Sequence, residues 1–251
     1  MNKLGILAFS LLLFFSAMLW YLAKGSLNEY LKSQIELQAE YYSSLKTTLG
    51  TANFSVETNT AELNNLEIYN LPLFKSEKII IIDKVNVVLA KENSKKMLTF
   101  INQATINNIL VNIDNKEDNL TNIEKIINKI SNTLATDYPQ QYPQISAKVY
   151  AQNNPELNAE AYAKEHPDSG PIVEHTNQKK SRGKPQQKAI ISILKIDNLE
   201  INSFINGKSK TEKYQNLTIE NIGGEQGIVN NQLGGEILLQ LLKLIDKKST
   251  T

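Results

Sequence analysis

The chain has no cysteine and only two histidines and one tryptophan in 251 residues. Without a thiol, disulfides, thiolate metal sites and cysteine nucleophiles are excluded. The histidines, His166 and His175, lack a second histidine or a carboxylate at helical ligand spacing, so no metal site is expected. An excess of charge is missing too. Lys and Arg number 27 against 26 Asp and Glu, a net charge of +1, which gives no global attraction for nucleic acid. Aromatic residues are 7% of the chain and do not fall on basic strands, as an RNA-binding sheet would require. Gly223-Gly224 and Gly234-Gly235 do not sit in a phosphate-loop pattern. Serines lack the elbow context of a nucleophile. The acidic pair Asp114 and Glu117 falls in a predicted turn, where it is expected to be solvated rather than catalytic. No catalytic residue, cofactor or metal is expected, and the protein is read as a non-enzyme.

Long apolar runs are also missing, with one exception. Leu4 to Ala23 holds twenty residues without a charge, between Lys3 and Lys24. At 1.5 Å per residue a helix of that length covers about 30 Å, the thickness of a bilayer core. Leu4, Leu11, Phe14, Leu19 and Trp20 are the anchor residues, and Trp20 and Tyr21 suit an interfacial aromatic belt. Cleavage as a signal peptide is disfavoured because Tyr21 puts a bulky ring where a small residue is needed. The expectation is an uncleaved single-pass anchor with its short N-terminus in the cytoplasm.

Beyond the anchor the hydropathy pattern changes several times. Ser26 to Leu49 predicts an amphipathic helix through Leu27, Leu31, Ile35, Tyr42, Leu45 and Leu49, with Ser26 and Glu29 as a capping box and Gly50 as C-cap. From Thr51 the period becomes two. Strands are predicted around Phe54 and Val56, then Ala61 to Ile68 with a bulge at Asn64-Asn65, and then Ser76 to Ala90. Further strands are predicted at Leu98 to Ala104 and Ile106 to Ile113, followed by a helix over Leu120 to Leu134 capped by Asn119. Six of the seven prolines lie between Thr136 and Lys188, a stretch read as a disordered insertion with a small basic cluster from Lys179 to Lys188. Strand character resumes at Ala189, turns at Asn206-Gly207-Lys208, returns through Tyr214, Leu217 and Ile219, and ends at Gly223-Gly224. A last helix opens at Asn230 or Asn231.

The domain organisation expected is therefore an anchor over 1–25, a stem helix over 26–50, a first half of a β-sheet domain over 51–135, an insertion over 136–188, and a hairpin with a closing helix over 189–251. The fold class is α+β: an N-terminal transmembrane helix, then a curved, mainly antiparallel sheet covered by amphipathic helices.

The order of these motifs resembles the small AsmA-like proteins of Gram-negative bacteria. The residues that carry the resemblance are Ile106-x-x-Ile109-x-Val111-x-Ile113 before Asn119-Leu120, Leu194-x-Ile196-x-x-Leu199-x-Ile201, and Leu217-x-Ile219-x-x-Ile222-Gly223 before the closing helix, with Asn221 where the family commonly has Asp. The resemblance implies an inner-membrane protein with its main domain in the periplasm, linked to outer-membrane biogenesis and lipid handling. Its implied partners are membrane lipid, phospholipid chains or an envelope protein, not nucleic acid. The two-sided apolar start of the Ile79 strand and its neighbours place Ile80, Ile82, Val85, Val87, Ile109 and Val111 as the candidate lipid-facing lining. The alternative for the same surface is a scaffold that docks a partner protein through the stem helix or the terminal helix.

Overall fold

Steps of two and three residues alternate along the buried positions of the long strands. The computed structural model describes residues 27–72, 74–90, 98–115, 120–153 and 187–249. A helix, α1, covers 27–43. Four strands follow: β1 (Thr47–Ser55), β2 (Thr60–Tyr69), β3 (Lys78–Leu89) and β4 (Leu98–Asp114). Two helices, α2 (Asn122–Asp137) and α3 (Pro143–Asn153), precede β5 (Lys188–Ile205), β6 (Lys208–Ile222), the two-residue β7 (Ile228–Val229) and α4 (Asn230–Ser249). The fold is α+β, with a seven-stranded open sheet in the order β1-β2-β3-β4-β5-β6, and β7 pairing with β5. All pairs are antiparallel except β4 with β5, which run parallel and are joined through α2 and α3.

From Ile101 the buried apolar residues of β4 run Ile101, Ala104, Ile106, Ile109, Val111 and Ile113; from Ile191 those of β5 run Ile191, Leu194, Ile196, Leu199 and Ile201. A regular strand turns every second side chain to one face. Each step of three therefore marks a residue out of the regular alternation, matched by one on the neighbouring strand so that the register is kept. These steps line up across the sheet. Regular pairing is interrupted at Gly50 and Asn65, at Asp83, at Asn107, and at Asp197 and Asn216. Asn65 and Asn216 have φ of 56° and 54°, the left-handed region that asparagine tolerates better than other side chains. A chain of polar side chains runs across this line on the outer face. Asn86 donates to Asn107 Oδ1 (3.1 Å), Asn107 to Asp197 Oδ2 (3.0 Å), Asn108 to Asp83 Oδ2 (3.0 Å) and Asn198 to Asn108 Oδ1 (3.0 Å). At Asn64-Asn65 the expected bulge is instead a break in pairing with the register kept, one unpaired residue on each strand, and the register shifts fall at Ile68/Tyr69 and Val88/Leu89.

Two sheet edges are handled differently. β1 is bordered by α1, whose side chains bond the strand's outer backbone. Asn28 Oδ1 accepts from Phe54 N (3.1 Å), Lys32 Nζ donates to Gly50 O (3.3 Å), Glu36 Oε1 accepts from Leu49 N (2.7 Å), and Glu40 Oε1 accepts from Thr47 N (3.0 Å). These four residues are spaced by four, so one stripe of the helix faces the edge. The other edge, β6, carries Lys208, Lys210 and Lys213 in exposed positions, a charge pattern that discourages further pairing.

Several sequence expectations are corrected here. The first helix ends at residue 43, not at Leu49, and Gly50 lies inside β1 rather than at a helix end. Ser44 takes φ 57° and returns its N–H to Glu40 O, closing the helix. Leu45, in the bend before β1, and Thr47 and Leu49 within the strand are all buried. Leu45 and Leu49 fit both periods, and the long-range pairing of Thr47 with Ile68 and of Leu49 with Leu66 decides for the strand. The two strands expected at Leu98 and Ile106 are one, because β5 pairs along the whole of β4. The second helix starts at Asn122 with Thr121 as N-cap: its hydroxyl accepts from Glu124 N and Glu124 bonds back to Thr121 N, a full capping box. The first part of the expected disordered insertion is ordered, with α2 reaching Asp137 and α3 covering Pro143–Asn153. Pro143 begins α3, where its missing N–H costs nothing. Among the described residues no helix is long and apolar enough to cross a membrane. The expected anchor at Leu4 to Ala23, both histidines and the basic cluster from Lys179 to Arg182 and Lys184 lie outside the described residues.

Candidate functional site

A cavity of ≈ 460 Å³ lies between the sheet, α1 and α4. Its floor is β3, β4 and β5, through Ile80, Ile82, Ile101, Ala104, Ile106, Ile191 and Leu194, all buried. Leu63, Leu66 and Ile68 of β2 and Val85 and Val87 of β3 extend it toward β1. One wall is α1, with Leu31, Ile35 and Ala39; the other is α4, with Leu233, Ile237, Leu238 and Leu241. The half-exposed members, among them Leu31, Leu63, Val85, Val87 and Leu233, form its rim.

The stepped strands make this floor possible. In β3, Ile80 and Ile82 lie before the row of interruptions and Val85 and Val87 beyond it, and a strict alternation would put these pairs on opposite faces. The step at Asp83-Lys84 turns all four to the same cavity. Of the six residues expected to face a lipid, the structure brings together Ile80, Ile82, Val85 and Val87. Ile109 and Val111 do not line the cavity; they are 2% and 0% exposed in the packed core. The reason is α2. Asn122, fully buried at its start, accepts from Asp114 N (3.1 Å) and donates to Asn112 O (2.9 Å), which seats the helix over that end of β4.

The walls are held by tyrosines. Tyr42 of α1 is 2% exposed and its hydroxyl donates to Asn231 O of α4 (2.8 Å). Gly235 leaves room for its ring. Tyr41 donates to both carboxylate oxygens of Asp137 at the end of α2 (3.0 and 2.9 Å), and Tyr142 donates to Glu236 of α4. Burial, aided by the Asp137 carboxylate, pushes the Tyr41 hydroxyl up to about 12. Burial raises Tyr42 and Tyr138, and burial with the Glu236 carboxylate raises Tyr142. Tyr41, Tyr42 and Tyr142 are neutral donors at ordinary pH. They position the walls and do not face the cavity.

Among the described residues that line the cavity, none is charged. The polar ones are Gln34, Gln38, Thr99 and Asn230. Among the described residues no group of three His, Cys, Asp or Glu is arranged to hold a metal ion. The described lining is therefore apolar with four uncharged polar side chains, and holds no ionisable one. Sequence reasoning missed the walls: the apolar faces of both helices were legible, but read as cover for the sheet and not as one side of a space.

Compared with protein-family models and with curated protein sequences, the chain matches none. The reading of this site rests on its own geometry.

Proposed function

We propose that this chain is a non-enzymatic, membrane-anchored envelope protein of AsmA-like type, which holds a lipid chain in the cavity between its sheet and its helices. The observation that carries the reading is the cavity itself. It falls in the range of about 300–1,000 Å³ typical of ligand sites. Its wall is aliphatic apart from four uncharged polar side chains, so water inside it would find few partners. Each methylene moved from water into such a site contributes about 0.8 kcal/mol. An acyl chain is the occupant that uses this wall best.

Three further features support the reading. The apolar segment from Leu4 to Ala23 has the length and composition of a bilayer anchor, in this proposal in the bacterial inner membrane with the domain in the periplasm. Leu31, on the cavity wall, is only eight positions beyond Ala23 in the sequence, a short chain distance between the cavity and the proposed anchor. The succession of strands, α2, strands and closing α4 is the one on which the AsmA-like resemblance was based. A stepped sheet bent around the cavity would serve envelope biogenesis by shielding a chain from water.

The test is lipid mass spectrometry on the full chain purified from membranes in mild detergent. Lipid is expected to travel with the protein above the level of a detergent blank. Val87→Trp and Leu233→Trp, which fill the cavity from opposite sides, are expected to lose it, whereas Val88→Glu on the other sheet face is expected to retain it. Recovery of no lipid from the unaltered chain would sink the proposal.

A docking role has one observation in its favour. Leu27, Tyr30, Leu37 and Tyr41 are 40–60% exposed and lie along the outer side of α1. They are spaced so that a partner helix could pack on them. Crosslinking from Leu37 in intact cells to a discrete protein, with no lipid recovered, would favour this second reading.

A further inference from the structure

Exposed apolar side chains gather at one end of the domain. Among the described residues, Val56 is the most exposed large apolar side chain, at 71%. It opens the turn between β1 and β2, a place where polar residues are the rule. Asn28 Oδ1 accepts from Phe54 N (3.1 Å), so the start of α1 lies beside the end of β1. Leu27 and Tyr30, 40% and 60% exposed, stand in that first turn of the helix. Val88, 40% exposed, pairs with Thr60 just past the turn, and Leu89 N donates to Asn59 O (2.9 Å) within it. Three elements, α1, the β1–β2 turn and the end of β3, thus present apolar surface at the same end.

The chain that precedes this end says what covers it. Only Lys24, Gly25 and Ser26 separate Leu27 from the apolar run Leu4 to Ala23. Even fully extended, the four steps from Ala23 to Leu27 cover at most about 14 Å. With Ala23 at the edge of the hydrocarbon core, the start of α1 is therefore held at the head-group layer. Tyrosine rings, apolar in the body and polar at the tip, suit that layer. Of the described charged residues around the patch, Glu29 and Glu57 are exposed and Lys32 reaches Gly50 O, so anionic lipid is not what attracts this end.

We infer that this end docks on the surface of the bilayer that holds the anchor, with Val56, Leu27 and Tyr30 entering the head-group layer. The contact is end-on. Leu37 and Tyr41 lie further along α1, about 15 and 21 Å from Leu27 at the rise of a helix, and stay outside it. The strand registers place part of the cavity at the docked end. Phe54 pairs with Ala61, and Ala61 with Val87. Leu63, Val85 and Val87 are half-exposed there, while Ile80 and Ile82, further from the turn, are buried. The open part of the lining is thus the part nearest the bilayer. The inference rests on the membrane-anchored reading above, not on lipid in the cavity.

The chain has no cysteine, so single labels can be placed cleanly. Val56→Cys, Tyr30→Cys and Leu37→Cys, each in the full chain, are labelled with nitrobenzoxadiazole and reconstituted in phosphatidylcholine vesicles, with and without lipid carrying a nitroxide near the head group. The labels replacing Val56 and Tyr30 are expected to shift to the blue and to be quenched by the nitroxide, and the label replacing Leu37 to do neither. Replacing part of the phosphatidylcholine by phosphatidylglycerol should leave the quenching unchanged. Val56→Asp, combined with the label replacing Tyr30, is expected to lose the quenching; its persistence would overturn the role of Val56. A chain that floats with the vesicles but is quenched at neither Val56 nor Tyr30 would overturn the docking and leave the anchor standing. Equal quenching at all three positions would overturn the end-on contact, and quenching only with phosphatidylglycerol would overturn its apolar basis. A chain that does not float overturns the anchored reading and the docking together.

Discussion

Two adjacent glycines in α4 show how far a single side chain can matter. A Cβ on Gly235 would lie 2.7 to 2.8 Å from ring atoms of the buried Tyr42. The ring is enclosed, so it has nowhere to retreat. A Cβ on Gly234 would meet Gln38 Oε1 at 2.6 Å, the far end of a flexible side chain that can swing away. Gly235→Ala is therefore expected to destabilise the fold by about 1–3 kcal/mol, the usual cost of overpacking. Gly234→Ala is expected to be neutral or to stabilise by up to about 1 kcal/mol through helix propensity. Urea denaturation of the two variants measures the difference; equal effects would show that the Tyr42 contact does not decide the packing of α1 on α4. Neither requirement was legible in the sequence, where Gly234-Gly235 is a pair of poor helix formers. Only the ring that approaches from α1 distinguishes them.

At the scale of the element, α1 does two jobs with two faces. Leu31 and Ile35 face the cavity, while Asn28, Lys32, Glu36 and Glu40 bond the open side of β1. An unpaired strand edge invites association with other chains, and a row of side-chain acceptors satisfies it without a further strand. Replacing Glu36 and Glu40 by Ala is expected to free the Leu49 and Thr47 amides. Hydrogen exchange at these two positions should quicken by an order of magnitude or more, with the central amides of β4 unchanged, and the variant should self-associate more readily. Unchanged exchange at both amides would refute the sealing role. The sequence displayed the polar stripe clearly but did not say what it faced. Lys32, Glu36 and Glu40 have the same spacing whether they meet water or a strand.

At the scale of the whole molecule, the tyrosine junction ties α1, α2 and α4 into one roof. Its hydroxyls keep their protons to higher pH in the folded chain than in the unfolded chain, where tyrosine ionises near 10. Above that value the unfolded state binds fewer protons than the folded one, so stability falls as pH rises. The contribution of the junction is complete below about pH 10 and is lost as pH climbs through the raised values, about 12 for Tyr41. In an alkaline titration, part of the tyrosinate absorbance is expected to appear only together with loss of the helical circular dichroism signal. Reversible ionisation of all ten tyrosines near pH 10 with the fold intact would contradict this.

The same scale separates what the amino-acid order settles from what it leaves open. The strands from Thr60 to Leu89, the Asn206-Gly207 hairpin turn with φ of 52° and 77°, the closing helix and the apolar run from Leu4 to Ala23 are each written in a few neighbouring residues. Local periodicity and turn chemistry suffice for them because the physical choice is local. The parallel pairing of β4 with β5, the strand at Thr47 where a helix was expected, the row of interruptions and the cavity were decided by the tertiary structure. Pairing partners and registers are chosen by burial among residues far apart in the chain. Four of the six apolar residues expected at a lipid-facing surface meet at the cavity because the step at Asp83-Lys84 turns Val85 and Val87 toward Ile80 and Ile82. Ile109 and Val111 do not, because α2 packs where they lie. A strand pattern specifies which side chains are apolar, but only the helices laid over the sheet determine where the core ends and a cavity begins.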